Sequence, residues 1–337
     1  MKVGRFTSTR PWQSYAFSNP PKNWKYVRAL DVPWASLKVR SPFLRHTKYH
    51  CSFGVDLLHT YNSIVPYGPD WIIEVEDGIP RYGAGITQKQ LDFAVKHLSH
   101  KRCKAISFTS EMAYNKNIDF IRRHGLEHKK RIIYRPVHLP SLEDNKKNTD
   151  LFNVIFIGNS FYRKGGYQLL KAFERSVHKD WRLHIVSNFF EDWGPRPTEG
   201  QMKEFEKIKN SDNRITFTQH MSHQDVFHAI SASDVLVGVT FADPWYNSVM
   251  EAAACGVPVI ASNISSIPEM VIDGETGTLL SIGDFNDETV IDDIYNSLCN
   301  YYTDTTLRIT HGKNARQHAE NKFSIEARNK ALTAIVD

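Results

Sequence analysis

The stretch that most constrains this chain is residues 235–280, VLVGVTFADPWYNSVMEAAACGVPVIASNISSIPEMVIDGETGTLL. An apolar run, Val235 to Val239, enters a polar turn. A helix of small residues follows, Gly256-Val257-Pro258 ends it, and Val259, Ile260 and Ala261 begin a second apolar run. Two apolar strands separated by a helix read as a parallel strand–helix–strand unit. Two acids flank the start of that helix: Asp243 in the turn and Glu251 eight positions later.

The same alternation recurs along the chain. LFNVIFIGN (151–159) is a fully apolar strand suited to the middle of a parallel sheet. The turn SFYRKGG and the amphipathic helix YQLLKAFERSV come next, then the strand WRLHIVS. Met202 to Lys209 is helical, RITFTQ is a strand, and Ser222 is placed to cap a helix through Ser231. Residues 288–303 and 312–335 read as two closing helices, the last long enough to pack back on the first domain.

Upstream, CSFGVDLLHTY reads as a strand ending in His59, with a turn at Asn62-Ser63, and WIIEVED (71–77) as a strand stopped at Gly78-Ile79-Pro80. Gln88 to His100 has helical spacing, Lys104 to Phe108 is a strand, Ser110 caps a helix from Glu111, and Arg131 to Tyr134 is a further strand. Residues 1–50 carry little periodicity; Tyr26 to Leu30 suits a strand and Ser36 to Val39 the start of another element. The fold expected is α/β, with doubly wound domains that bind ligands at the carboxyl ends of their strands.

The polar run SLEDNKKNTD (141–150) has the composition of a linker, and the charge changes sign across it. Residues 1–150 hold 25 Lys and Arg against 13 Asp and Glu, a balance of +12; the remainder holds 17 against 24, a balance of −7. Either the first half faces an anionic partner or its basic residues simply solvate the surface. No apolar run approaches the ~20 residues of a bilayer span. The start MKVGRFTSTRPW lacks the apolar core of a signal peptide. The four cysteines form no C-x-x-C pair, so a reducing cytoplasm is the expectation, with neither a zinc site nor a disulfide framework.

Two sets of residues carry chemistry. Gly158, Gly165 and Gly166 let backbone approach a ligand, and Arg163 and Lys164 stand before a helix N-terminus, which together suit an anion or a solvated basic turn. Neither the Walker spacing nor G-x-G-x-x-G is present. If Asn247 opens the next helix, Glu251 lies one turn in and can take two hydroxyls, as from a ribose. The amides of Tyr246, Asn247 and Ser248 can face phosphate or sugar oxygens; the plainer alternative is that Asp243 caps the helix and Glu251 lies on its surface.

DPWYNSVMEAAACGVPVIAS, followed by IPEMVIDGETGTLL, closely resembles the donor-site signature of family-four retaining glycosyltransferases. FIGNSFYRKGGYQLLKAF is similar to that family's phosphate-binding turn. The resemblance is strong over residues 151–335, weaker over 51–140 and absent over 1–50. It implies a GT-B fold: two Rossmann-like doubly wound domains facing each other across a cleft. Residues 1–145 would bind the acceptor, 146–315 the nucleotide sugar, and 316–337 would return to the first domain. By the same resemblance Glu251 binds the nucleotide ribose, Asp243 the donor sugar hydroxyls and Lys164 the diphosphate, while His59 lies near the reacting sugar. Gly158, Asn159, Arg163, Tyr246, Asn247 and Ser248 complete the donor site. The family usually has Glu at 243 and Arg at 159; Arg163 is expected to supply the charge Asn159 lacks.

The implied activity is retaining transfer of a sugar from a nucleoside diphosphate sugar to an acceptor hydroxyl in glycan or glycolipid assembly, with no metal and no separate cofactor. The expected acceptor is a glycan or lipid-linked, anionic molecule. Peripheral membrane contact would run through the basic half, the location would be cytoplasmic, and nucleic acid is not an expected partner. The alternatives are another GT-B enzyme, an epimerase or a phosphorylase, and a non-catalytic binding subunit.

Overall fold

The computed structural model describes residues 1–6, 11–32, 40–49, 54–142, 150–189, 194, 196–284 and 288–336. The element expected at Ser36 to Val39 lies outside these residues. The described chain begins with β1 (Lys2–Arg5), α1 (Pro11–Ser18), β2 (Lys25–Arg28), α2 (Pro42–Arg45), β3 (Leu57–Tyr61), β4 (Asp70–Val75), α3 (Gln88–Ser99), β5 (Cys103–Phe108), α4 (Glu111–Arg123) and β6 (Lys130–Ile132). It continues with β7 (Phe152–Ile157), α5 (Gly166–Glu174), β8 (Trp181–Val186), α6 (Glu199–Ser211), β9 (Ile215–Thr218), α7 (His223–Ser231), β10 (Val235–Gly238) and α8 (Asn247–Ala254). The last elements are β11 (Val259–Ser262), α9 (Ile267–Met270), β12 (Gly277–Leu280), α10 (Thr289–Thr303), α11 (Thr305–Phe323) and α12 (Ile325–Thr333).

The chain divides into two units: Met1–Pro136 with the segment from Lys322 onward, and Val137–Asn321. The division falls at 136 rather than 145, and the chain returns at 322 rather than 316. Side-chain anchoring explains both shifts. His138 packs edge-on against Phe227 of α7, and Arg316 donates to the carbonyls of Pro140 and Ala254, which keeps 137–140 and most of α11 in unit 2.

Each unit is a six-stranded sheet with every named pairing parallel. Unit 1 has the order β2-β1-β3-β4-β5-β6 and unit 2 the order β12-β11-β10-β7-β8-β9. Counted from its own first strand, unit 2 runs 6-5-4-1-2-3, the Rossmann order, and its winding reverses between β7 and β10. Both units are therefore doubly wound α/β. β3 continues past His59 to Tyr61 before the turn, where Asn62 takes a φ of 52° and its Oδ1 accepts the Glu76 N–H.

Local chemistry sets the boundaries. Thr87 and Gln90 form a reciprocal capping box on α3, Ser110 Oγ accepts the Ala113 N–H at the start of α4, and Ser222 Oγ accepts the Asp225 N–H at the start of α7. The expected helix 312–335 is two helices. Ser324 leaves the helical conformation and its Oγ takes the Ala327 N–H, so α11 stops and α12 starts as a separate helix. Strand-lining and helix-lining apolar groups fill the cores. Trp181, Phe156, Phe161 and Phe173 anchor unit 2, and Trp71, Phe108 and Leu58 anchor unit 1; full burial of each contributes about 1.5–3 kcal/mol or more. Among the described residues no helix is long and apolar enough to cross a membrane.

Candidate functional site

Unit 2 contains a cavity of about 340 Å³ at the carboxyl ends of its strands, next to the point where the winding reverses. Ile157, Gly158, Asn159 and Lys164 line it after β7, and Val186, Ser187 and Asn188 after β8. Gln219, His220 and Met221 line it after β9, and Asn247, Ser248 and Glu251 from α8.

The β7–α5 turn is shaped by two glycines. A Cβ on Gly158 would stand 2.6 Å from Lys164 Cδ and 3.0 Å from Tyr246 Oη, so its hydrogen makes room for both side chains. Gly165 has a φ of +79°, and a Cβ there would lie 2.1 Å from the carbonyl oxygen of Val239, so the turn sits directly on the end of β10. Lys164 crosses this turn with Nζ 3.0 Å from Asp243 Oδ2 and 3.9 Å above the Tyr246 ring.

The β10–α8 turn is pinned to β7 from below. Tyr246 is fully buried and its hydroxyl donates to the carbonyl of Ile157 at 3.0 Å; Ser248 Oγ donates to the same carbonyl at 3.1 Å. Burial, reinforced by the Asp243 charge, pushes the Tyr246 phenol far up, so it acts as a neutral donor. Asp243 Oδ1 accepts the Trp245 N–H at 3.0 Å, a turn closed by its own side chain. These bonds set the first turn of α8, whose leading N–H groups have no intrahelical acceptor, at the cavity.

The structure thus brings Gly158, Asn159, Lys164, Asn247, Ser248 and Glu251 into one lining. Asp243, 8% exposed, does not line the cavity and reaches it through Lys164. Tyr246 lies beneath the lining. Arg163 differs from expectation. It is 5% exposed, outside the lining, and its guanidinium donates to the Ala242 carbonyl with Asp243 Oδ2 at 3.8 Å. Its own carbonyl accepts the Phe241 N–H. It ties one turn to the other and does not replace, in the cavity, the charge missing at Asn159.

His59 also differs from expectation. It is 4% exposed in the sheet of unit 1, with Nδ1 2.8 Å from Tyr26 Oη and Nε2 3.2 Å from Glu74 Oε1. Phe17 packs on it edge-on, and Arg328 of α12 donates to the same Glu74 oxygen at 2.8 Å. Burial would raise the Glu74 carboxyl, but Arg328 and His59 overcome it and hold the pKa at about 2. Burial pushes Tyr26 up to about 12. His59 is a link in this buried network.

Sequence reasoning missed the far wall of the cavity: Ser187, Asn188, Gln219, His220 and Met221. The rule that ligands bind past the carboxyl ends of strands applied equally to β8 and β9, and would have pointed to them. It also missed His223, whose Nε2 lies 3.2 Å from Glu251 Oε1. Donating a hydrogen bond to that carboxylate raises the imidazole pKa, against a smaller opposing effect of burial.

Residues 152–300 match the family model described as glycosyl transferases group 1. The chain is 29% identical over 181 residues to the capsular polysaccharide biosynthesis glycosyltransferase CapM of Staphylococcus aureus, a match covering 53% of this chain and 44% of that protein. The chain spans about half the length of the curated relatives it matches. Its fold is similar to the crystal structure of Anabaena HepE in complex with UDP-glucose, with a TM-score of 0.67, 16% identity and coverage of 100% and 99% of the two chains. It is also similar to WaaG, a glycosyltransferase involved in lipopolysaccharide biosynthesis, with a TM-score of 0.60, 15% identity and coverage of 99% of each chain.

Proposed function

We propose that this chain, whose residues 152–300 match the glycosyl transferases group 1 family model, transfers a sugar from a nucleoside diphosphate sugar to an acceptor hydroxyl with retention at the anomeric carbon. The observation that carries the reading is the unit 2 cavity. It unites a lysine, a close-approach glycine, a helix N-terminus and a carboxylate at the reversal of a parallel sheet. That set matches the parts of a nucleoside diphosphate. Lys164 and the amides at Asn247 and Ser248 would hold the phosphates, and Glu251 would take the ribose hydroxyls. Gly158 and Asn159 would form the floor under the diphosphate.

Negative charge develops on the leaving diphosphate as the glycosidic bond breaks. Lys164 would neutralise it, held in place by Asp243 and the Tyr246 ring, so the stabilising group does not reorganise during the reaction. Asp243 enters the proposal as the group that fixes this ammonium, together with its expected reach toward the donor sugar hydroxyls. Arg163 enters as the tie between the two turns, and His59 has no step. The leaving phosphate can take the acceptor proton. Lys164 and the helix amides supply the positive charge, so the reading needs no metal or separate cofactor.

Related proteins support this reading by what their names state: CapM is a capsular polysaccharide biosynthesis glycosyltransferase, and HepE was crystallised with UDP-glucose. The acceptor we propose is an anionic glycan or lipid-linked molecule bound through the basic first half, at a membrane periphery on the cytoplasmic side. A thermal-shift screen of nucleoside diphosphates and their sugars tests the donor site. A ligand at 100 times its Kd should stabilise by about 2.7 kcal/mol; no shift with any nucleotide would end the proposal. Analysis of the product anomer then tests retention.

A further inference from the structure

We propose that His223 is a positioning residue for the ribose end of the cavity: it holds the Glu251 carboxylate in the orientation that would take the two hydroxyls of a nucleoside diphosphate. The inference rests on the role given to Glu251 above. His223 is the first residue of α7 and lies outside the cavity lining, while His220 and Met221, just before it, are part of that lining. Its Nε2 reaches Glu251 Oε1 at 3.2 Å across the gap between α7 and α8. Glu251 is on the fifth residue of α8, and its side chain is only 13% exposed.

The imidazole is itself held. Ser222 caps α7 directly before it, and its ring stands edge-on to Phe227 at 5.1 Å, with Phe227 5% exposed and flanked by His138 at 5.5 Å. A free glutamate loses more side-chain entropy on ordering than most residues. A partner that sets the carboxylate before the ligand arrives removes part of that loss. A carboxylate offers about four acceptor directions, so a single bond from His223 still leaves room for two ribose hydroxyls. The arrangement resembles the way an outer partner orients a metal ligand, with a sugar in place of the metal.

The test compares affinities of the full chain for UDP, GDP and ADP with those for their 2′-deoxy counterparts, by calorimetry. The wild type should prefer the ribose form of the base it binds best. His223→Ala should lower that preference about three- to tenfold, the scale of one hydrogen bond. His223→Gln, which keeps a nitrogen donor, should restore most of it. An unchanged ratio in His223→Ala overturns the inference, including the case where both affinities fall together, because a merely structural role weakens both forms alike. A wild type that binds a diphosphate without ribose preference overturns the role of Glu251 and this inference with it. A wild type that binds no diphosphate overturns the functional reading itself.

Discussion

In unit 1, Glu74 lies in the middle of the sheet with Arg328 at 2.8 Å and His59 at 3.2 Å. In unit 2, Lys164 leans on Asp243 and Glu251 leans on His223, and both line an open cavity at the edge of the sheet. Glu74, Arg328 and His59 are each under 5% exposed, whereas the His223 side chain is 55% exposed. A charge buried inside a sheet persists only when protein groups compensate it fully. A charge at the carboxyl edge can exchange a protein partner for a ligand. The two units share an architecture, and the depth of their charges separates a structural network from a candidate site.

The largest expected effect breaks the buried side of this comparison. Arg328→Met strands Glu74 and should cost about 3–5 kcal/mol. Denaturant unfolding should show the loss, while nucleotide binding under native conditions persists; equal stability would mean that the network is not what secures α12. On the open side, Lys164→Ala should lower transfer about 10²–10³-fold while the chain still folds, as circular dichroism would show. Near-normal turnover would remove Lys164 from the diphosphate.

Acid separates the units further. The Glu74 pKa is depressed from 4.5 to about 2, so its contribution to stability is complete above about pH 4.5 and lost as pH falls through about 2. Stability measured from pH 6 to about 2 should fall in that window, and Glu74→Gln should flatten the fall. The His223 pair has the opposite sign. Its pKa is raised above 6.5, so the ion pair is complete below that value and is lost as pH rises through the raised pKa. An NMR titration of the imidazole should show the elevated midpoint, and Glu251→Gln should return it toward 6.5. The smallest effect concerns the basic first half: the KM for an anionic acceptor should rise with added salt, and a salt-independent KM would argue against charge-driven acceptor binding.

Much of unit 2 was legible because its strands are long apolar runs and its turns end in glycine or a capping serine. Phe152–Ile157 and Val235–Gly238 could be placed from residue type alone, as could Ser222 and the start of α8 at Asn247. β1 was illegible for the converse reason. Its four residues, KVGR, contain a single large apolar side chain, yet it lies between β2 and β3 and its position depends on them. The break at Ser324 had a local signal, a serine at the end of a helical pattern, but helical periodicity on both sides masked it.

The sequence by itself determined the alternation of strands and helices, and with it parallel sheets whose carboxyl edges are where a candidate site is to be sought. It also determined the residue types of the donor-like signature, Lys164, Asp243 and Glu251 among them. These are local properties: periodicity, caps and turns act within a few residues. Only the tertiary structure decided which charges line the cavity and which face one another. Arg163 and Lys164 are neighbours in sequence, but one is a buried tie and the other lines the cavity. His59 is held among partners 33, 15 and, through Glu74, 269 residues away. Glu251 meets His223 from the neighbouring helix. Such pairings depend on desolvation and on distances across the fold, which residue order does not encode.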